Sequence, residues 1–237
     1  MNKKKISISW SGGKDSAYAL YQLLQSREYE IDSLHTVFDA DLKRVGLHGV
    51  PEHLIEAQAQ AIGFPLRKIY LSKDNSHDTY ERTIREFCLK LKAQGIDHVM
   101  YGDIFLEDLK AYRDLQLGTV DMEGVYPIWK LNTRELMLNF INDGFKTCVC
   151  AANTTMFDKS QAGKTIDDNW LNHLPENVDP CGENGEFHTF VYDGPLFKQP
   201  VKFTLGDVVE KTYEYKKTED DGTEVEMKSS FWFQDIR

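Results

Sequence analysis

Ser11-Gly12-Gly13-Lys14-Asp15-Ser16 gathers two hydroxyls, two glycines, an ammonium and a carboxylate in one short run. That set suits an anion. Glycines let a backbone approach it with no Cβ in the way. Lys14 adds a full positive charge, and Ser11 and Ser16 add hydroxyl donors. Asp15 does not suit phosphate; it can satisfy amides of a first helical turn or help hold a metal ion. The bland alternative is a glycine turn at a helix start with an exposed lysine. A second cluster, 179–189, carries Cys181, Glu183, Asn184, Glu186, His188 and Thr189, with Gly182 and Gly185 permitting close approach. Glu186 and His188 lie two apart, so on a strand they share a face. A carboxylate beside an imidazole can do general acid–base work or hold an ammonium ion. A hairpin approach with solvated charges would explain the same residues.

The elements around these residues follow from periodicity. Residues 6–10 read as a buried strand and 15–27 as a helix with Ala17, Leu20, Leu23 and Leu24 on one face. A strand that turns on glycines into a helix aims backbone amides and the helix N-terminus at one spot. Further strands are predicted at 31–38, 66–71, 98–101 and 125–128, and helices at 51–62, 77–93 and 107–117. Pro51 takes the first helical position, and Gly63 and Gly95 end two of the helices. Alternating strands and helices imply a mainly parallel, doubly wound sheet. Its ligand crevice lies beyond the carboxyl ends of the strands, where strand order reverses. There the first cluster meets the loops 39–49 and 102–108. Asp103 is placed to hold Mg2+ or orient substrate, or else to act as an N-cap. His35 and Thr36, late in the second strand, fall near a bound base, or His35 is a packed strand residue.

The character changes near residue 129. A helix at 132–142, a strand at 145–151, a short helix at 167–174, a loop at 180–189 and strands at 202–217 and 223–233 describe a smaller α+β unit. Glu219-Asp220-Asp221-Gly222 reads as the hairpin turn. The expected division is 1–129 for the anion-binding domain and 130–237 for the acceptor domain. Phe231-Trp232-Phe233 serves either a homodimer surface or a strand that closes the second core.

The 237 residues carry a net charge of −10, and 41% are hydrophobic. That charge lacks the footprint of a general nucleic-acid binder. No apolar run approaches the ~18 residues of a membrane span. Met1-Asn2-Lys3-Lys4-Lys5 resembles a signal-peptide start, but the apolar run after it is too short, so no targeting is expected. Cys88, Cys148, Cys150 and Cys181 have no framework spacing, which fits a cytoplasmic protein with reduced thiols. Cys148 and Cys150 are too close for the usual zinc pairs and read as buried small hydrophobes.

The first cluster is not a Walker loop, because position 8 is Ile and Asp15 follows the lysine. S-G-G-K-D-S resembles the pyrophosphate (PP) loop of the ATP pyrophosphatases, which split ATP into AMP and pyrophosphate. Over about residues 5–205 the chain resembles the diphthine–ammonia ligase family. The likeness rests on that loop, His48-Gly49-Val50-Pro51, Gly102-Asp103-Ile104, Pro127-Ile128-Trp129, Cys181-Gly182-Glu183-x-Gly185-Glu186 and Asp193-Gly194-Pro195-Leu196-Phe197. The resemblance implies a PP-loop fold of the adenine nucleotide alpha-hydrolase type. It implies an ATP- and Mg2+-dependent ligase that adenylates a carboxylate and amidates it with ammonia. Lys14, Asp103, Glu183, Glu186 and His188 would be catalytic. Ser11 to Ser16, His35, Thr36 and Gly102 would hold ATP, and Asp15 and Asp103 the metal. Cys181, Asn184, Gly185 and Thr189 would bind the acceptor. The family's late motif is commonly E-G-G-E-[YF]-E-T. Asn184 and His188 depart from it in the manner of the bacterial branch, so the substrate implied need not be diphthine. Two rivals stay open: a tRNA-modifying PP-loop ATPase, which needs a basic surface and reactive cysteines, and a non-catalytic nucleotide sensor.

Overall fold

Ile6, Ser7 and Ile8 are all buried, as a strand covered on both faces must be. They belong to β1 (Lys4–Ser9), the middle strand of a five-stranded parallel sheet in a computed structural model that describes residues 3–72, 77–218 and 224–237. The other strands are β2 (Tyr29–Asp39), β3 (Leu66–Leu71), β4 (His98–Met100) and β5 (Glu123–Val125), in the order β3-β2-β1-β4-β5. Strand order therefore reverses between β1 and β4, and their carboxyl ends open a crevice. Helices α1 (Lys14–Ser26), α2 (Glu52–Ile62), α3 (His77–Lys92) and α4 (Glu107–Gly118) connect the strands.

Beyond them come α5 (Thr133–Asn142), β6 (Lys146–Asn153), α6 (Asp168–Asn172), β7 (Phe187–Asp193), β8 (Leu205–Thr218) and β9 (Glu224–Ile236). The four strands form an antiparallel sheet in the order β7-β6-β9-β8. The doubly wound α/β fold with an antiparallel second unit is the one expected. One apolar cluster joins the two sheets, with Ile8, Leu20 and Phe38 from the first and Phe140, Val149 and Phe190 from the second part. Cys148 and Cys150 are buried, as read, and burial raises both thiols. Phe231 and Phe233 pack on Ala151 and Tyr213, so this aromatic run closes the second core. The hairpin turn read at 219–222 and the residues Met1 and Asn2 lie outside the described residues.

Several boundaries differ from expectation for physical reasons. Pro51 is the N-cap of α2 rather than its first helical residue. Its ψ of 149° is extended, and it bridges to Arg44. The fifth strand is Glu123–Val125, not 125–128, because β4 sets its register through His98↔Glu123 and Met100↔Val125. The apolar residues that follow turn instead, with Trp129 N donating to Tyr126 O at 3.2 Å. β7 begins at Phe187, inside the stretch read as a loop.

Candidate active site

The glycine turn at the end of β1 is fixed from outside. Gly12 has φ +81°, and a Cβ there would stand 2.6 Å from Ile55 Cδ1. Its carbonyl accepts hydrogen bonds from Gln58 Nε2 at 2.9 Å and Val191 N at 2.9 Å. Gln58, fully buried, also donates to Val191 O and accepts from Trp10 Nε1. The loop's carbonyl is thus spent on α2 and β7. On the other side Gly13 N donates to Ser11 Oγ at 3.2 Å, and Lys14 N donates to Thr189 Oγ1 at 3.0 Å. Both acceptors are rotatable hydroxyls that an anion could replace. Ser11 Oγ and Ser16 Oγ lie 3.2 Å apart.

Lys14 is not the exposed lysine of the bland reading. It is 2% exposed. Its ammonium donates to both oxygens of Asp15, at 3.0 and 2.8 Å, and lies 5.1 Å from the centre of the Phe187 ring. Burial is the largest single influence and works against this charge, but Asp15, with Cys181 and Glu183 adding to it, outweighs burial and the Lys14 pKa is raised. Burial also raises the Asp15 carboxyl, in spite of Lys14.

Across the crevice, Gly102 brings the end of β4 against the start of α1. A Cβ at Gly102 would stand 2.8 Å from Asp15 C and 2.9 Å from Ser16 N. Both are backbone atoms and cannot swing aside. Gly102→Ala is therefore expected to cost about 1–3 kcal/mol by overpacking. Calorimetry should show a melting point several degrees lower; an unchanged one would mean that this contact is slack.

Asp103 follows, 8% exposed, with Arg113 Nη2 3.3 Å from Oδ1 and with Oδ2 buried and unpartnered. Glu183 arrives from the late loop and accepts from Ile104 N at 2.7 Å, tying that loop to the end of β4. Burial pushes the Asp103 carboxyl up and that of Glu183 to about 7, and the Asp15 charge adds to both rises. Three mutually repelling carboxylates beside one neutralised lysine suit a divalent cation. Among the described residues no group of three or more Asp, Glu, His or Cys side chains converges on one point. Mg2+ does not need one, since it commonly binds one or two carboxylates together with substrate phosphates and water.

The remaining late-loop residues divide. His188 lines the crevice, its Nε2 buried without a partner, and its ring is 4.7 Å from that of His48. His48 lies over Gly13, and its Nδ1 is 3.3 Å from Thr189 O. Burial holds both imidazoles neutral, His48 at about 4 and His188 well below its usual value. Glu186, 2% exposed, braces its own loop, where Oε1 accepts from Asp179 N at 3.0 Å and Asn184 Nδ2 at 3.1 Å. Cys181 is fully buried, and its thiol, raised by burial, donates to Thr133 O at 3.3 Å. Gly182 and Gly185 line the crevice, and Thr189 does so beside Lys14.

His35 and Thr36 are spent inside the sheet. His35 Nδ1 is 2.8 Å from Ser7 Oγ, and its ring packs on Phe87 at 4.9 Å. Thr36 Oγ1 donates to Trp10 O at 2.6 Å. Sequence reasoning assigned no site role to His48 or Arg113, which both line the crevice. The H-G-V-P segment was a signal for His48. Arg113 had none, being one charge on a polar helix.

The chain is similar to known proteins along most of its length. The family model described as diphthamide synthase N-terminal domain matches residues 4–116, and that of the diphthamide synthase C-terminal domain matches residues 132–224. The diphthine–ammonia ligase of Homo sapiens is 25% identical over 234 residues, covering 86% of this chain and 85% of the relative. That of Bos taurus matches to the same extent. The diphthine–ammonia ligase of Schizosaccharomyces pombe is 24% identical over 226 residues, covering 84% of this chain and 36% of the relative.

Proposed function

Because the chain belongs to the diphthamide synthase family, we propose that it is an ATP-dependent ligase that amidates a carboxylate with ammonia. The observation that carries this reading is the meeting of three parts in one crevice. The S-G-G-K-D-S loop, Asp103 after β4 and Glu183 from the late loop converge there, with Glu183 bonded to Ile104 N at 2.7 Å. Residues 1–129 would bind ATP and residues 130–237 the acceptor. The phosphates lie along Ser11 to Ser16. Asp15 and Asp103 would hold Mg2+, which neutralises phosphate charge when bound. The unpartnered Asp103 oxygen fits that role.

A substrate carboxylate oxygen attacks the α-phosphorus. The bond to the bridging oxygen breaks, and pyrophosphate leaves against Lys14 and the Gly12–Gly13 turn. Ammonia then attacks the acyl carbon and AMP departs. The nitrogen must lose a proton, and Glu183, at about 7, is poised to take it. The neutral His48–His188 pair sits on the acceptor side. A histidine at 188, in place of the family's glutamate, removes an acid from that pocket and supports an acceptor other than diphthine. Glu186, Cys181 and Asn184 act through the loop they hold. Gly102 lets the nucleotide loop and Asp103 meet.

Sulfur transfer to tRNA is disfavoured. All four cysteines are buried, and burial raises every thiol. No described helix is long and apolar enough to cross a membrane. The free cysteines suit the cytoplasm.

Nucleotide chromatography tests the reaction. AMP and pyrophosphate are expected, formed only with the carboxylate substrate present. Without ammonia, labelled pyrophosphate should exchange into ATP through the reversible adenylate. Stoichiometric ADP with free phosphate would overturn the ligase.

A further inference from the structure

Two cations line the crevice, and they are held differently. Lys14 has both Asp15 oxygens. Arg113, on α4, has one ion-pair contact, Asp103 Oδ1 at 3.3 Å. Among the described residues no hydrogen bond occupies its five N–H donors. Its guanidinium carbon lies 4.2 Å from the centre of the Tyr101 ring. Tyr101 stacks on Tyr126 at 5.7 Å, and Tyr126 OH donates to Asp114 Oδ1 at 2.7 Å. The guanidinium carbon is therefore held over an anchored aromatic ring while its donors stay available.

The two cations belong to different walls of the crevice. Lys14 opens α1 and lies against Phe187 and Thr189 of β7. Arg113 lies over Tyr101 and beside Asp103, just past the end of β4. A triphosphate seated on the loop by its outer phosphates would have Asp103 and Arg113 on the facing wall of the same crevice. A metal ion at Asp103 Oδ2 would draw charge from Oδ1 and weaken its hold on the arginine. A planar fork of donors is the side chain best matched to a phosphate.

We propose that Arg113 binds the α-phosphate, and so grips the AMP half that stays while pyrophosphate leaves. This rests on the ligase reading above. Arg113 and Lys14 would then divide ATP at the bond that breaks.

Titration calorimetry without divalent metal tests it, using AMP alone and inorganic pyrophosphate alone. Arg113→Met is expected to weaken AMP by about 10- to 100-fold, the value of a charge-assisted contact. Pyrophosphate affinity should stay within about 2-fold, since a contact the ligand never makes cannot be lost. Arg113→Lys should lie between. Asp103→Asn, which frees the guanidinium, should bind AMP at least as tightly as the wild type. A merely structural ion pair would weaken AMP equally in both variants, and that result overturns the proposal. Unchanged AMP affinity in Arg113→Met, or equal loss of both ligands, also overturns it while leaving the ligase reading intact. A wild type that binds neither ligand sinks both.

Discussion

Lys14→Met is expected to lower turnover by about 10³-fold or more. Removing one preorganised donor from a developing oxyanion costs about 10²–10³, and Lys14 brings a full charge to the departing pyrophosphate. The site strengthens that charge, because the ammonium lies 5.1 Å from the centre of the Phe187 ring and Lys14 is only 2% exposed. Burial also changes what the substitution does to stability. Methionine fills the space of the lysine stem but strands the Asp15 carboxylate. Breaking a buried pair costs about 3–5 kcal/mol, yet the Asp15 side chain keeps 28% exposure and can hydrate. A net loss of about 1–3 kcal/mol follows, or several degrees in Tm for a chain of this size. The measurement is kcat at saturating ATP together with a thermal melt. Turnover within tenfold of wild type in a folded variant would remove Lys14 from the chemistry.

The burial of Lys14 marks where sequence stops being informative. The strand–turn–helix that carries it is local, and its signals are local. Ile6 and Ile8 of β1 are followed by glycines, then by a helix whose buried residues recur at Ala17, Leu20 and Leu23. What covers the lysine comes from β7, with Thr189 175 positions away, and no periodicity announces such a contact. The same holds for Glu183. The family resemblance implied a catalytic role for it, but only the tertiary bond to Ile104 N puts it beside Asp103. Glu186 shows the converse. Its spacing from His188 suggested one catalytic face, yet it sits just before β7 begins and turns to the amides of its own loop. His35 was legible as a late β2 residue near the crevice, but Ser7 on the neighbouring strand captures its ring nitrogen. The fifth strand slipped because Val125 and Ile128 are apolar, whereas pairing with β4 runs through Glu123 and Gly124 and ends at Val125.

Glu183→Gln should separate the two half-reactions and carry a pH signature. Glutamine keeps an oxygen for Ile104 N, so the late loop stays anchored to the end of β4. It cannot take a proton from the attacking nitrogen, and amide formation should fall by about 10²–10⁴, the usual worth of a general base. In the wild type that step should rise through about pH 7, where burial places the Glu183 carboxyl. In the variant this limb should vanish. Pyrophosphate exchange, which needs no such base, should stay within about tenfold, since only interactions made in a given transition state affect its rate. Stability provides an independent reading. The folded carboxyl titrates at about 7 against an ordinary value of 4.5, so between those pH values the folded state holds a proton that the unfolded chain has lost. Wild-type stability from this group therefore falls as pH rises through that window, is fully lost above it, and is unaffected below it. Glu183→Gln should match the wild type in urea unfolding at acid pH. It should exceed it, by on the order of 1 kcal/mol after allowing for partial exposure, above pH 7. Loss of pyrophosphate exchange equal to the loss of amide formation would assign Glu183 to the nucleotide. No stability difference at alkaline pH would mean that its carboxyl is not raised.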